Sequence, residues 1–337
     1  MERLKVAVLP PGAFGMAMAV PLLANEHDVT LGFRSWEKAE QFKRSHQSDR
    51  LPGVSLPANL RVTGSLEKAV ENADLVVVAT PSRQLESFYS EYIRPNLRKN
   101  ALLLCVTKGL YNNLRPSEVI TGLDPEVAPR LAVSSGPTFA QDVAMGLPAA
   151  TVIASERAET VEKIAEIYHS RVFRVYKGDD VVGVEMGGAL KNVIAVAAGI
   201  CDGLRKGESG RAALIQRGWL ETARLAITQG ARWETLVGLS GMGDLMLTCT
   251  SYKSRNHQAG VDLVLGKTPE ELISSDKTIE GFDTAKVAVQ LAKQHQLEVP
   301  ICDSIYQVVF CGMSIEEVIN QLLDRPSMYE NGDRVLN

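Results

Sequence analysis

In the first half of the chain, short runs of consecutive apolar residues alternate with stretches in which apolar positions recur every three or four residues. Consecutive apolar positions suit strands buried on both faces, and the helical spacing between them suits the crossovers of a parallel sheet. This pattern predicts strands over residues 4–9, 29–33, 75–79, 102–106 and 131–134, with 151–154 and 172–175 extending the sheet. It predicts helices over 14–25, 36–46, 66–71 and 82–92, with serines at the starts of the last two placed to cap them. After Asp180 the strand signals fade, and 182–204, 211–228, 284–295 and 304–310 carry helical spacing.

The fold expected from this order is α/β: an N-terminal Rossmann-like doubly wound sheet over residues 1–180, then a mainly α-helical substrate domain over 181–337. At 337 residues the chain also exceeds the size at which single cores stop growing, so two domains follow from length alone. No repeat, low-complexity linker or block of like charge separates the halves, which predicts a tight join with a ligand cleft along it. With 45% apolar and 23% charged residues there is material for a sizeable core and no sign of disorder. The net charge of -4 argues against general nucleic-acid binding and leaves any anionic substrate to local cations. Cys105, Cys201, Cys249, Cys302 and Cys311 are scattered, with no CxxC pair and no His at zinc-ligand spacing, so reduced thiols and no metal site are expected. The opening MERLKVAVLPPG lacks a signal-peptide pattern, and no run is seen to approach the roughly eighteen apolar residues of a spanning helix. A cytoplasmic protein without membrane insertion is the expectation.

After the first strand, Pro10-Pro11-Gly12-Ala13-Phe14-Gly15 aligns with the dinucleotide pattern GxGxxG, with Pro10 in place of the first glycine. In that pattern the backbone approaches a pyrophosphate, and the following helix offers free N–H groups and its positive dipole end. Proline at 10 and 11 fixes φ and removes two donors, so a reshaped turn is expected, with the donors from Gly12 to Gly15 surviving. Where a carboxylate would accept from the adenosine ribose, the second strand ends in Gly32-Phe33-Arg34-Ser35. Arg34 with Ser35 suits a ribose 2′-phosphate, which favours NADP over NAD. Taken alone, the degenerate loop also suits a strand-turn-helix with no ligand.

Three later segments are more specific. Val184-Glu185-Met186-Gly187-Gly188-Ala189-Leu190-Lys191-Asn192 sets a lysine among small and apolar residues, where burial would depress its pKa towards the range of an acid catalyst. In Gly243-Asp244-Leu245-Met246-Leu247-Thr248, Asp244 and Thr248 share one face if the stretch is helical, although a capping role for Asp244 is equally open. Ser254-Arg255-Asn256 offers a hydroxyl, a guanidinium and an amide suited to a phosphate dianion, or else a polar helix start. Ser135-Gly136-Pro137-Thr138-Phe139-Ala140 follows a strand and carries a proline expected at a first helical position.

Taken in order with Val106-Thr107-Lys108-Gly109-Leu110, Thr248-Cys249-Thr250, Ile279-Glu280-Gly281 and the block from Arg211 to Gly218, these segments resemble the bacterial NAD(P)-dependent glycerol-3-phosphate dehydrogenases over nearly the whole chain. The resemblance implies reduction of dihydroxyacetone phosphate to sn-glycerol 3-phosphate, feeding glycerophospholipid synthesis, by a homodimer. It implies Lys191 as the acid/base with Asp244 beside it, and substrate contacts from Lys108, Gly136, Thr138, Asp244, Ser254, Arg255 and Asn256, to which the shared face adds Thr248. Cofactor contacts are implied at Ala13, Phe14, Arg34, Lys108, Ala140, Arg255 and Glu280, to which the glycine loop adds Gly12 and Gly15, with Thr278 a further candidate. The sequence departs from the family at Pro10, at Gly32 where Trp is frequent, at Ser209-Gly210 and at Phe282-Asp283, which bears on the cofactor more than on the chemistry. Other reductases that join a Rossmann domain to a helical one, such as those acting on ketopantoate, would not need the same triose-phosphate set.

Overall fold

A computed structural model describes residues 2–275 and 278–327; the end of the expected second domain, 328–337, lies outside them. The first half runs β1 (Lys5–Leu9), α1 (Ala13–Ala24), β2 (Asp28–Gly32), α2 (Trp36–Ser45), β3 (Arg61–Thr63), α3 (Leu66–Glu71), β4 (Leu75–Val78), α4 (Ser82–Phe88), β5 (Leu102–Cys105), α5 (Pro116–Leu123), β6 (Leu131–Ser135), α6 (Ala140–Ala144), β7 (Ala149–Ala154), α7 (Ala158–Tyr168) and β8 (Phe173–Gly178). The strands make one sheet in the order β3-β2-β1-β4-β5-β6-β7-β8. Alternate residues of each strand feed two cores. Val6, Val8, Leu75 and Val77 pack with Met16 and Leu22 of α1, whereas Ala7, Leu9, Val76 and Val78 pack with Leu66, Leu85 and Phe88. Burial on both faces is why these strands read as unbroken apolar runs.

The sequence reading names no helix at α5 or α7, and three further features of this half differ from it. Strand β3 has three residues and a single apolar side chain, Val62, too little for a period-two signal. Strand β7 runs antiparallel to β6, because the segment between them holds only the five-residue α6, too short to cross the sheet and return in parallel. Helix α4 is capped by Pro81 and not by Ser82, which is its first residue; Ser65 does cap α3. A π-helical turn, Tyr89–Ile93, continues α4.

The second half contains α8 (Val181–Gly203), α9 (Gly207–Thr228), α10 (Trp233–Leu236), α11 (Asp244–Cys249), α12 (Arg255–Val264), α13 (Pro269–Ser274), α14 (Glu280–Gln294), α15 (Pro300–Phe310) and α16 (Ile315–Leu323). Helix α8 is its axis, buried at every position from Gly188 to Cys201. Its start is fixed by Asp180, which accepts from the amides of Gly183 at 2.8 Å and Arg232 at 2.9 Å. Against expectation, α8 is long and apolar enough to cross a membrane by length and composition, but 83% of that stretch is buried inside the protein. Helix α12 crosses α8 nearly backbone to backbone. A Cβ at Gly199 would lie 1.9 Å from the His257 carbonyl oxygen, and one at Gly260 2.1 Å from that of Val196. That crossing brings Arg255 and Asn256 towards Lys191 and Asn192. Cys105, Cys201, Cys249 and Cys302 are buried free thiols, and Cys311 is exposed.

Candidate active site

The strand order reverses between β1, whose neighbours are β2 and β4, and the loops leaving β1 and β4 diverge there into a crevice. The β1–α1 loop lines it. Leu9–Pro10 is a cis peptide, and the Gly12 amide donates to the Pro10 carbonyl at 2.8 Å. Gly12 is therefore not a free donor, in contrast to the sequence reading; its donor is consumed inside the reshaped turn. The amides of Ala13, Phe14 and Gly15 have no backbone acceptor among the described residues. Space above Gly12 is open, whereas a Cβ on Gly15 would lie 2.6 Å from the Pro10 oxygen and 3.2 Å from Ala79 Cβ. The loop thus keeps both things a pyrophosphate needs, close access and a helix N-terminus with unpaired amides.

Lys191 points from α8 towards α11. Its Nζ donates to Asp244 Oδ1 at 2.5 Å and to Thr248 Oγ1 at 2.6 Å. Asp244 and Thr248 do share a helix face; the residue at the N-cap of α11 is Gly243, so Asp244 is free to serve as a counter-ion. Small residues make the meeting possible. A Cβ on Gly187 would lie 3.0 Å from the Ser240 carbonyl, and one on Gly188 2.4 Å from Ser135 Oγ, so the end of β6 and the π-helical turn Leu239–Gly243 close directly on α8.

The second oxygen of Asp244 accepts from Lys108 Nζ at 2.7 Å. Lys108 also donates to the Gly136 carbonyl at 3.1 Å, which accepts in addition from Thr138 Oγ1 at 3.1 Å, and the ammonium lies 5.6 Å from the centre of the Phe14 ring. Lys108, Phe14, Gly136, Thr138, Lys191, Asp244 and Thr248, drawn from both halves of the chain, are therefore one cluster. It holds one buried carboxylate between two ammonium groups, a net positive charge away from bulk water. Burial drives the Lys191 pKa from 10.5 down to about 8, with the Asp244 charge opposing and that of Lys108 assisting. For Asp244, burial works to raise the pKa, but Lys108 and Lys191 together hold it below the usual carboxylate range. Lys191 is thus protonated at neutral pH yet within reach of losing its proton, which is what an acid/base needs.

Ser254 is the N-cap of α12 and accepts from the His257 amide at 3.2 Å; its own hydrogen has no acceptor among the described residues. Asn256 donates to Asn192 Oδ1 at 2.9 Å and accepts from the Gly281 amide at 2.9 Å, which ties α12 to the residue after Lys191 and to α14. Arg255 is exposed and makes no side-chain hydrogen bond or ion pair among the described residues. Arg34 lies apart from the lysine cluster, 5.4 Å from the Phe88 ring centre and 3.4 Å from Gln84 Oε1, and Ser35 caps α2. Ala140 opens α6, which begins three residues later than the proline signal at 137 suggested. Thr278 is half-buried before α14. Glu280 is bound to Ser82 rather than open to the crevice. Sequence reasoning missed Ser135, whose hydroxyl lies 3.5 Å from Asp244 Oδ2, and the bridging role of Asn192; both stood inside motifs already singled out.

The N-terminal part of the NAD-dependent glycerol-3-phosphate dehydrogenases matches residues 5–161, and their C-terminal part matches 180–320. This chain belongs to that family. The glycerol-3-phosphate dehydrogenase [NAD(P)+] of Moorella thermoacetica is 40% identical over 331 residues, covering 96% of this chain and 97% of its own. The Fusobacterium nucleatum protein of the same name is 37% identical over 330 residues, covering 97% and 98%. The crystal structure of glycerol-3-phosphate dehydrogenase from Coxiella burnetii superimposes with a TM-score of 0.89 at 32% identity, covering 96% of this chain and 99% of that one. As a family member the chain is an oxidoreductase that works with NAD or NADP.

Proposed function

We propose that this glycerol-3-phosphate dehydrogenase family member reduces dihydroxyacetone phosphate reversibly to sn-glycerol 3-phosphate, and that its product feeds glycerophospholipid synthesis. The observation that carries the reading is the buried carboxylate shared by two lysines at the crevice. A nicotinamide cofactor, when bound, supplies the hydride. The amides of Ala13, Phe14 and Gly15 suit its pyrophosphate, with Gly12 leaving the approach open, and Ala140 and Thr278 border it; the resemblance also implies Glu280, whose two oxygens are taken up by Ser82. Arg34 suits an adenosine 2′-phosphate, which favours NADP.

Lys191 is the acid. It donates a proton to the oxygen on which negative charge develops and is left neutral; in the reverse direction the neutral amine accepts the alcohol proton. Asp244 holds Lys191 in place, Thr248 accepts from the same ammonium, and Lys108 adds positive charge where the alkoxide forms. Ser254, Arg255 and Asn256 grip the phosphate, while Gly136 and Thr138 border the carbon chain, so that remote binding energy orients the carbonyl. We read residues 1–180 as the cofactor-binding domain and 181–337 as the substrate domain, in a cytoplasmic homodimer whose stoichiometry light scattering on the purified protein will report.

Lys191→Ala is expected to lower kcat for dihydroxyacetone phosphate by about 10³-fold while leaving NADPH binding largely intact. Near-normal turnover in that variant removes the assignment. Assays of the unmodified protein with dihydroxyacetone phosphate and with branched keto acids, each with NADPH and NADH, separate this reading from a keto-acid reductase: activity on the latter alone defeats it.

A further inference from the structure

We propose that Ser82 is a positioning residue: clasped by Glu280, it fixes the turn that carries Lys108 and thereby the sharing of Asp244 between two lysines. The proposal rests on the roles assigned above to Lys108, Lys191 and Asp244. Ser82 opens α4 immediately after β4, at the crevice. Its amide donates to Glu280 Oε1 at 3.1 Å and its hydroxyl donates to Oε2. Both oxygens of a carboxylate from the first turn of α14 are thus engaged by one residue of the sheet domain. Both partners are buried. At that depth a carboxylate is costly unless its lone pairs are filled; burial raises its pKa, and the two bonds from Ser82 counter the rise.

The same carboxylate bears on the turn after β5. Gly109 has φ 141°, which L side chains rarely adopt, and a Cβ there would lie 2.3 Å from Glu280 Oε2 and 3.0 Å from Ser82 Oγ. Before it, Thr107 Oγ1 donates to the Thr80 carbonyl at 2.7 Å; after it, the Leu110 amide donates to Thr284 Oγ1 at 3.5 Å. Lys108 therefore sits in a turn held between the post-β4 loop and α14, with Ser82 and Glu280 at the junction. Lys108 belongs to the sheet domain and Asp244 to the helical one, so the contact between them depends on this seam. Removing the Ser82 hydroxyl leaves Glu280 Oε2 without its donor, loosens the start of α14 against Gly109, and lets Lys108 draw away from Asp244. The adjacent pair Arg83 and Asp283 crosses the same seam with no hydrogen bond to residues 107–110 among the described residues, although both charges bear on Glu280, and serves as a control.

The test uses Ser82→Ala and Arg83→Met in the full chain. Hydrogen–deuterium exchange without cofactor or substrate reads the turn directly; kcat and KM for dihydroxyacetone phosphate, and the NADPH dissociation constant from fluorescence, read the site. In Ser82→Ala, exchange over residues 107–110 is expected to rise about tenfold and kcat to fall about tenfold, the size of one lost hydrogen bond to a buried charge. KM and the NADPH constant should stay within about twofold, and Arg83→Met, which loses a partly exposed ion pair, should keep kcat close to that of the unmodified protein. Unchanged exchange at 107–110, unchanged kcat, or a loss confined to NADPH affinity overturns the proposal. If the unmodified protein does not reduce dihydroxyacetone phosphate at all, the functional assignment falls, and the exchange measurement still decides whether the clasp holds the turn.

Discussion

At the tip of β1 the groups offered to a ligand are backbone amides, whereas on α8 and α11 they are side chains buried to their charged ends. The two regions face one crevice and differ in what they tolerate. The β1–α1 loop has lost the first glycine of its pattern, yet Ala13, Phe14 and Gly15 still present amides, because a helix N-terminus supplies donors whatever the side chains are. Only Gly15 is pinned by sterics. In the cluster the ions depend on one another: one carboxylate is shared by two ammonium groups at 2.5 and 2.7 Å, one positive charge is left over, and removing the carboxylate strands both lysines.

The sharpest way to break this comparison is Asp244→Asn. With the shared charge gone, two ammonium groups are left buried without a counter-ion, and a loss of about 3–5 kcal/mol in stability is expected, measured by urea denaturation. Because the Asp244 charge supports the Lys191 pKa, that pKa should also fall further. The sign follows for the rate. With Lys191 in its proposed role as the acid, ketone reduction by the unmodified protein should decline as pH rises through about 8, while alcohol oxidation rises over the same range. In Asp244→Asn the reduction limb should move to lower pH; a limb that stays put in kcat–pH profiles would detach it from Lys191.

Gly15→Ala comes next. Its Cβ would press on the Pro10 carbonyl and on Ala79, which predicts a cost of about 1–3 kcal/mol in the same denaturation assay, together with weaker NADPH binding. Smallest of all should be Pro10→Gly, which restores the missing glycine. Since the donors lie downstream on α1, the NADPH dissociation constant is expected to shift by no more than about fivefold, the span of a glycine–proline change in chain entropy. A much larger gain in affinity would show that the first glycine matters after all, and would place the loop with the cluster among regions that tolerate no replacement.

Much of the fold was legible because its signals are local. The strands buried on both faces announce themselves as apolar runs, and α3 and α8 lie within a residue of their periodic segments. Apart from α5 and α7, whose local signals the reading passed over, the misread features were those set by a neighbour. Strand β3 exists because β2 offers it an edge, and β7 runs antiparallel because α6 is too short to carry the chain across. Ser82 looks like a cap in sequence, but its hydroxyl is claimed by a carboxylate from α14. The site divides along the same line. Lys191 was conspicuous as a lysine among small residues, and Asp244 with Thr248 as a helical pair, yet neither spacing shows that they meet.

By itself the sequence determined the class of fold, the order of its elements and the residue types at the site, because periodicity, caps and glycine placement act over a few neighbouring positions. Tertiary structure decided that Lys108 and Lys191 share one carboxylate, that Glu280 grips Ser82, and that α12 lies close enough to α8 to set Asn256 beside Asn192. Those outcomes depend on distances between the two halves of the chain. Charge compensation and the bonding of buried polar groups are satisfied only when the segments that carry them have packed.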